Sequence, residues 1–78
     1  MNELWIKIEE LILRAQDSIK ECPEIANITY RFNWPDLEDM EAVAIRMGEK
    51  IDTLPTTGSK CLILNWPNDG VNISVIHG

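Results

Sequence analysis

The triplet Asn-Trp-Pro occurs twice in this chain, at residues 33–35 and 65–67, and no other feature restricts the fold as strongly. Each copy ends a short apolar run whose length and composition are typical of a β-strand. Two of the three tryptophans, Trp34 and Trp66, therefore occupy equivalent positions at strand ends. The repeat predicts a sheet in which two strands finish in the same way.

The first of these strands covers residues 28–34, which alternate strictly between apolar and polar side chains. Such alternation indicates a strand with one buried face. The side chains predicted to face the core are Ile28, Tyr30, Phe32 and Trp34, and those predicted to face outward are Thr29, Arg31 and Asn33. The first strand is thus predicted to be half-buried.

The second and third strands, residues 60–66 and 71–77, are predicted to form a hairpin. Its loop would be Pro67-Asn68-Asp69-Gly70, because proline fixes φ at the start and glycine supplies positive φ at the end. On one face this loop pairs Trp66 with Val71, Leu64 with Ile73 and Leu62 with Val75, and on the other Asn65 with Asn72, Ile63 with Ser74 and Cys61 with Ile76. Every pair on the first face is apolar.

Two amphipathic helices are predicted, over residues 2–21 and 36–52, with a loop from Leu54 to Ser59. The apolar stripe of the first is Leu4, Trp5, Ile8, Leu11, Ile12, Ala15 and Ile19, and that of the second is Leu37, Met40, Val43, Ala44, Met47 and Ile51.

Acidic residues crowd the start of the second helix, namely Asp36, Glu38, Asp39 and Glu41. The helix dipole accounts for them, since it favours anions there. A magnesium site is the alternative, but no second acidic cluster supports it.

The order helix, strand, helix, strand, strand predicts one α+β domain over residues 1–78, with both helices on one face of a three-stranded mixed sheet. A strand–helix–strand unit normally makes its two strands parallel. Residues 61–64 are apolar on both faces, which favours the second strand as the central one. We therefore expect sheet order 1-2-3, with the first and second strands parallel. Order 2-3-1, with the first strand beside the third, is the alternative.

A polar patch is predicted on the uncovered face of this sheet. In order 1-2-3 the two triplets lie side by side, so that Trp34 and Trp66 close one end of the core. The patch would consist of Arg31, Asn33, Asn65 and Asn72, flanked by Thr29, Ser74 and Ile63. Ligands often gather at the carboxyl ends of parallel strands. The alternative is that each asparagine starts a turn and each tryptophan fills the core.

The net negative charge of the chain favours some classes of binding partner over others. Thirteen acidic and seven basic side chains give a net charge of −6, which disfavours direct binding of nucleic acid. The aromatic side chains predicted on the sheet face the helices, whereas RNA platforms expose theirs. An acidic chain suits docking onto a basic surface of a larger protein. The carboxylates expected to carry such docking are Asp36, Glu38, Asp39, Glu41, Asp52 and Asp69.

The chain lacks recognisable catalytic or cofactor-binding motifs. Its single histidine, His77, lies near the end of the sequence, where chains usually fray. Cys22 and Cys61 lack the paired spacing of a zinc site, and we expect both to be free thiols. The four glycines are too dispersed for a phosphate-binding loop. We therefore expect no enzyme activity, no cofactor and no metal.

The sequence also predicts a protein of the cytoplasm that does not enter membranes. No apolar stretch approaches the ~20 residues that cross a bilayer. Glu3, Glu9 and Glu10 lie where a signal peptide would carry positive charge and an unbroken apolar segment.

These observations predict a small acidic, non-catalytic interaction protein that regulates or inhibits a larger protein with a basic surface. Small acidic proteins encoded by phages, including nucleic-acid mimics and anti-CRISPR inhibitors, share this general character, which is an analogy of class only. One alternative is a self-associating structural subunit, such as a homodimer, that uses Ile6 and Leu13 on the outer side of the first helix and apolar residues of the open sheet face. The other is a small-ligand binder that uses the asparagine patch.

Overall fold

The structure, a computed structural model, describes residues 2–78 and contains two helices and four strands. The elements in chain order are α1 (Glu3–Glu21), β1 (Ile28–Asn33), α2 (Leu37–Met47), β2 (Asp52–Thr53), β3 (Lys60–Trp66) and β4 (Val71–His77). The predicted α+β class is confirmed.

Both helices begin at a side-chain cap. The Asn2 side chain accepts a hydrogen bond from the Trp5 N–H at the start of α1, and Asp36 accepts one from the Glu38 N–H at the start of α2. Each bond satisfies one of the backbone donors that a helix N-terminus leaves unpaired. α2 ends at Met47 and not near residue 52 as predicted, because Gly48 adopts the left-handed conformation at φ 68° and stops the helix.

The sheet has four strands in the order β1-β4-β3-β2, so the predicted three-stranded sheet of order 1-2-3 is wrong. β1 pairs in parallel with β4, the last strand, and not with β3. β3 runs antiparallel to both of its neighbours. The alternative order, with the first strand beside the last, is the one that the structure adopts.

The strand that the sequence did not reveal, β2, explains this difference. β1 and β2 are parallel, because β2 opposes β3, β3 opposes β4, and β4 runs with β1. The crossover through α2 therefore does join two parallel strands, as expected for a strand–helix–strand unit, but two other strands lie between them. A strand of two exposed residues has no alternation that a sequence pattern could show.

The position of β4 has a separate cause. Only one face of the sheet is covered by helices, so a central strand needs apolar residues on one face alone. Val71, Ile73 and Val75 are at most 1% exposed and supply that face, while the polar residues between them lie on the open face. The requirement for apolar residues on both faces, used to place residues 60–66 at the centre, does not apply to such a sheet.

The hairpin formed by β3 and β4 has the predicted register. All six predicted pairs occur, from Trp66 opposite Val71 to Cys61 opposite Ile76. Gly70 has φ 67° at the end of the loop, as a four-residue connection with glycine in that position requires.

One core lies between the helices and the covered face of the sheet. Its fully buried side chains come from both helices and from the two central strands, and they are Leu4, Ile8, Met40, Val43, Leu62, Leu64, Val71, Ile73 and Val75. Each such side chain contributes about 1.5–3 kcal/mol of burial free energy. The three tryptophans are half-buried at the margin of this core. This arrangement leaves three surfaces: the outer side of the helices, the open sheet face and the sheet edges.

Candidate interaction surfaces

The open face of the sheet carries all four residues of the predicted polar patch. Strand pairing arranges this face in three cross-strand rows: Thr29, Asn72 and Asn65; Arg31, Ser74 and Ile63; and Asn33, Ile76, Cys61 and Asp52. The middle row places Ile63, with 52% of its surface exposed, between the asparagines of the outer rows.

The two triplets do not lie side by side, contrary to the prediction. β1 runs antiparallel to β3 with β4 between them, so Trp34 and Trp66 lie at opposite ends of the sheet. Asn33 and Asn65 occupy opposite corners, about 16 Å apart if strands are spaced by about 4.8 Å and residues by about 3.3 Å. Asn65 and Asn72 are the only directly opposed pair among the three asparagines. The patch is a spread of amides over a flat face and not a convergent cluster.

A hydrogen-bonded group ties the helix starts to the end of β1. The Trp34 indole Nε1 donates to Asp39 Oδ2 at 3.1 Å, and Asn2 Nδ2 donates to the Asp39 carbonyl oxygen at 3.0 Å. His77 Nδ1 lies 2.9 Å from the Trp34 carbonyl oxygen, at hydrogen-bonding distance. His77 is the last residue of β4 and is half-buried, so the predicted fraying at this position is wrong. These contacts hold the fold together at the carboxyl ends of β1 and β4.

Three of the six carboxylates predicted to bind a partner have a role within the fold. Asp39 accepts the Trp34 indole, Asp36 caps α2, and Asp69 accepts a hydrogen bond from Gln16 Nε2 at 3.1 Å. Glu38 and Glu41 differ, because they are exposed and no hydrogen bond among residues 2–78 engages their carboxylates. Of the six, these two side chains are the ones that the fold leaves available on the helices, and Asp52 is a third on the open sheet face.

Glu38 and Glu41 form one line with Ile45 along α2, at spacings of three and four residues. Ile45 is 83% exposed, more than any other large apolar side chain of residues 2–78. We call Glu38, Glu41 and Ile45 the acidic stripe. Residues 36–45 contain four carboxylates and no lysine or arginine. The next residue, Arg46, is turned towards α1, where its guanidinium carbon lies 4.1 Å from the centre of the Trp5 ring.

Ile45 was not among the predicted surface residues, although its position in the helical repeat indicates exposure. At 100° per residue Ile45 falls outside the apolar stripe of α2, as Ile6 and Leu13 fall outside that of α1. Ile6 and Leu13 are exposed by 39% and 62%, on the outer side of α1 as their spacing predicts. Each lines a surface depression, of about 370 Å³ beside Ile6 and about 200 Å³ beside Leu13.

The negative charge is concentrated on the helical side of the molecule. Residues 3–21 and 36–50 carry ten acidic and five basic side chains, a net charge of −5 out of the total of −6. The open sheet face carries one cation, Arg31, and one anion, Asp52. The electrostatic field that a distant partner meets is therefore negative on the helices and weak on the open sheet face.

The described residues form neither a metal-binding group nor a membrane-spanning helix. Within residues 2–78 no three side chains of His, Cys, Asp or Glu are grouped closely enough to hold a metal ion. Neither helix has the length and apolar character needed to cross a bilayer.

Comparison with known proteins returned no match: no family model, no curated protein and no solved structure is significantly similar to this chain.

Proposed function

We propose that this protein is a non-catalytic interaction protein of the cytoplasm that docks its acidic stripe on a basic surface of a larger protein and thereby regulates or inhibits it. The observation that carries the proposal is Ile45, which is 83% exposed at the end of a line that begins with two unengaged carboxylates on α2. An isolated apolar side chain in a charged surround has the arrangement of an interface anchor with a polar rim.

The two parts of the stripe would contribute differently to binding. Burying Ile45 in a pocket of the partner supplies about 1.5–3 kcal/mol of apolar transfer free energy. Glu38 and Glu41 would pair with lysine or arginine around that pocket, which raises the association rate and selects the partner. The remaining charge of the helices adds long-range attraction to a cationic surface.

The partner class that fits best is a protein that itself binds phosphates. Nucleic-acid-binding proteins carry clustered lysine and arginine to neutralise the backbone, and such surfaces attract carboxylates in the same way. An anti-CRISPR or other anti-defence inhibitor encoded by a phage would act by occupying a surface of this kind. The support for this finer class is the charge distribution on α2 and the exposed Ile45.

A triple variant of the stripe tests the proposal. Glu38→Gln, Glu41→Gln and Ile45→Ser together leave the core side of α2 unchanged, because all three residues are exposed. We expect immobilised wild-type protein to capture from host extract a protein with a basic surface that the variant does not capture. Capture should also fall steeply at about 0.5 M salt, where the Debye length is about 4 Å.

A matched variant on α1 serves as the control. Glu9→Gln, Glu10→Gln and Leu13→Ser make the same chemical changes on the outer side of the other helix. We expect this variant to capture the same partner as the wild type. If the α1 variant loses the partner and the α2 variant keeps it, or if binding is unchanged at high salt, the acidic stripe is not the docking surface.

A further inference from the structure

The outer edge of β1 offers a row of unpaired backbone groups. The Ile28 N–H donates to the Gly70 carbonyl and the Trp34 N–H donates to the Ile76 carbonyl, both at 2.8 Å. The backbone N–H and C=O groups of successive residues point to opposite sides of a strand. The residues at odd positions of β1 therefore direct their N–H and C=O groups away from β4. Thr29, Arg31 and Asn33 therefore present N–H and C=O groups at the edge, and no hydrogen bond among residues 2–78 engages them.

β1 lacks most of the features that usually block an edge strand. It contains no proline or glycine, and its only charged residue, Arg31, lies on the open face and not towards the core. On the covered side Tyr30 and Phe32 are half-buried at the margin of the core. Natural proteins normally protect such an edge, since a long unblocked edge templates pairing with another chain.

We propose that β1 pairs antiparallel with β1 of a second copy, around a two-fold axis at Tyr30, to join two sheets into one of eight strands. This arrangement brings Thr29 of each copy opposite Arg31 of the other, so that their outward groups form four backbone hydrogen bonds. The Tyr30 side chains meet on the helix side, and Ile28 meets Phe32. The pairing does not involve the acidic stripe and does not depend on the proposed function.

Charge disfavours the neighbouring register around Arg31. Pairing keeps opposed residues on the same face, so one of the two neighbouring registers places the axis at Arg31. In that register the two Arg31 side chains lie directly opposite each other, which is destabilising. In the register around Tyr30 each Arg31 instead meets a neutral threonine.

Charge substitutions at Thr29 test the register by sedimentation at concentrations up to about 1 mM, the weak limit of specific association. Thr29→Asp places a carboxylate opposite each Arg31 and should tighten the dimer about two- to tenfold. Thr29→Arg places like charges there and should weaken it by a similar factor. Asn65→Asp and Asn65→Arg make the same charge changes two strands away from the edge and should leave the dimer unchanged.

Amide exchange gives a readout that an unfolded variant cannot imitate. The N–H groups of Thr29 and Arg31 should gain protection as the concentration rises, whereas that of Ile28, bonded within the chain, should not depend on concentration. Arg31→Pro removes one outward N–H and no bond to β4, so it should abolish dimerisation and keep the fold.

Two results would overturn the proposal. One is a wild-type protein that stays monomeric up to about 1 mM. The other is a dimer whose affinity is the same in Thr29→Asp, Thr29→Arg and wild type, which would place the contact on another surface, such as Ile6 and Leu13.

Discussion

Trp34 and Trp66 end their strands with the same triplet, but the fold uses the two indoles differently. The Trp34 indole N–H donates to the Asp39 carboxylate, whereas no hydrogen bond among residues 2–78 engages the Trp66 indole N–H. Both rings are half-buried. We predict that Trp34→Phe lowers the free energy of unfolding by about 1–2 kcal/mol more than Trp66→Phe, because it also removes a hydrogen bond to a charged acceptor.

Urea unfolding of both variants measures this difference. A double-mutant cycle of Trp34→Phe with Asp39→Ala isolates the coupling free energy of the two side chains. This coupling should account for most of the difference between the two phenylalanine variants. Equal losses in the two phenylalanine variants, with no coupling to Asp39, would show that the bond contributes nothing.

Single residues also show where pattern analysis succeeds and where it stops. Ile6 and Leu13 are exposed because helical periodicity determines which side a residue occupies. The same periodicity marks Ile45, which lies outside the apolar stripe of α2 and is 83% exposed. The bond between Asp39 and Trp34 has no sequence signal, because a carboxylate at a helix start is already explained by the dipole.

The turn before β4 packs closely against the connection between α1 and β1. A Cβ atom at Gly70 would lie 2.7 Å from the Ala26 carbonyl oxygen, in the connection between α1 and β1, and φ there is 67°. Gly48, after α2, has nearly the same φ of 68° with no atom within 4 Å of a Cβ. We predict that Gly48→Ala costs about 1–2 kcal/mol for the left-handed conformation, and Gly70→Ala roughly 2–5 kcal/mol because the clash adds to it.

Thermal or urea unfolding of the two alanine variants side by side gives the comparison. The difference between their losses of unfolding free energy measures the cost of the clash with the Ala26 carbonyl, because both variants have nearly the same cost for the left-handed backbone conformation. Similar losses would mean that this contact relaxes without cost.

The arrangement of the elements was predictable only where local geometry determines it. The β3–β4 register follows from a four-residue loop and an apolar face, and it is correct at all six pairs. The sheet order depends on which strands meet over long separations, and the two-residue β2 that completes the crossover has no pattern of its own. The open-face patch was therefore assigned to the right face but to the wrong corners of it.

For the whole molecule, the excess of negative charge predicts how stability responds to salt. Ten of the thirteen acidic side chains lie on the helical segments with only five basic ones, so their mutual repulsion opposes the compact state. We predict that raising the salt from about 0.02 M to about 0.3 M increases the free energy of unfolding by up to about 1 kcal/mol, because the Debye length falls from about 20 Å to about 6 Å. A decrease with salt, measured by urea unfolding at each ionic strength, would show that favourable pairs and helix-dipole contacts outweigh the repulsion.

The central place of β4 has a consequence for biosynthesis. Ile28 pairs with Val71, which follows it by 43 positions, and β4 is the last of the six elements to leave the ribosome. Until it emerges, β1 and β3 have no strand between them, and the sheet cannot assemble. The nascent chain therefore passes through an interval in which β1 is open on both sides and β3 is open on the side away from β2, and these edges are free to pair with another molecule.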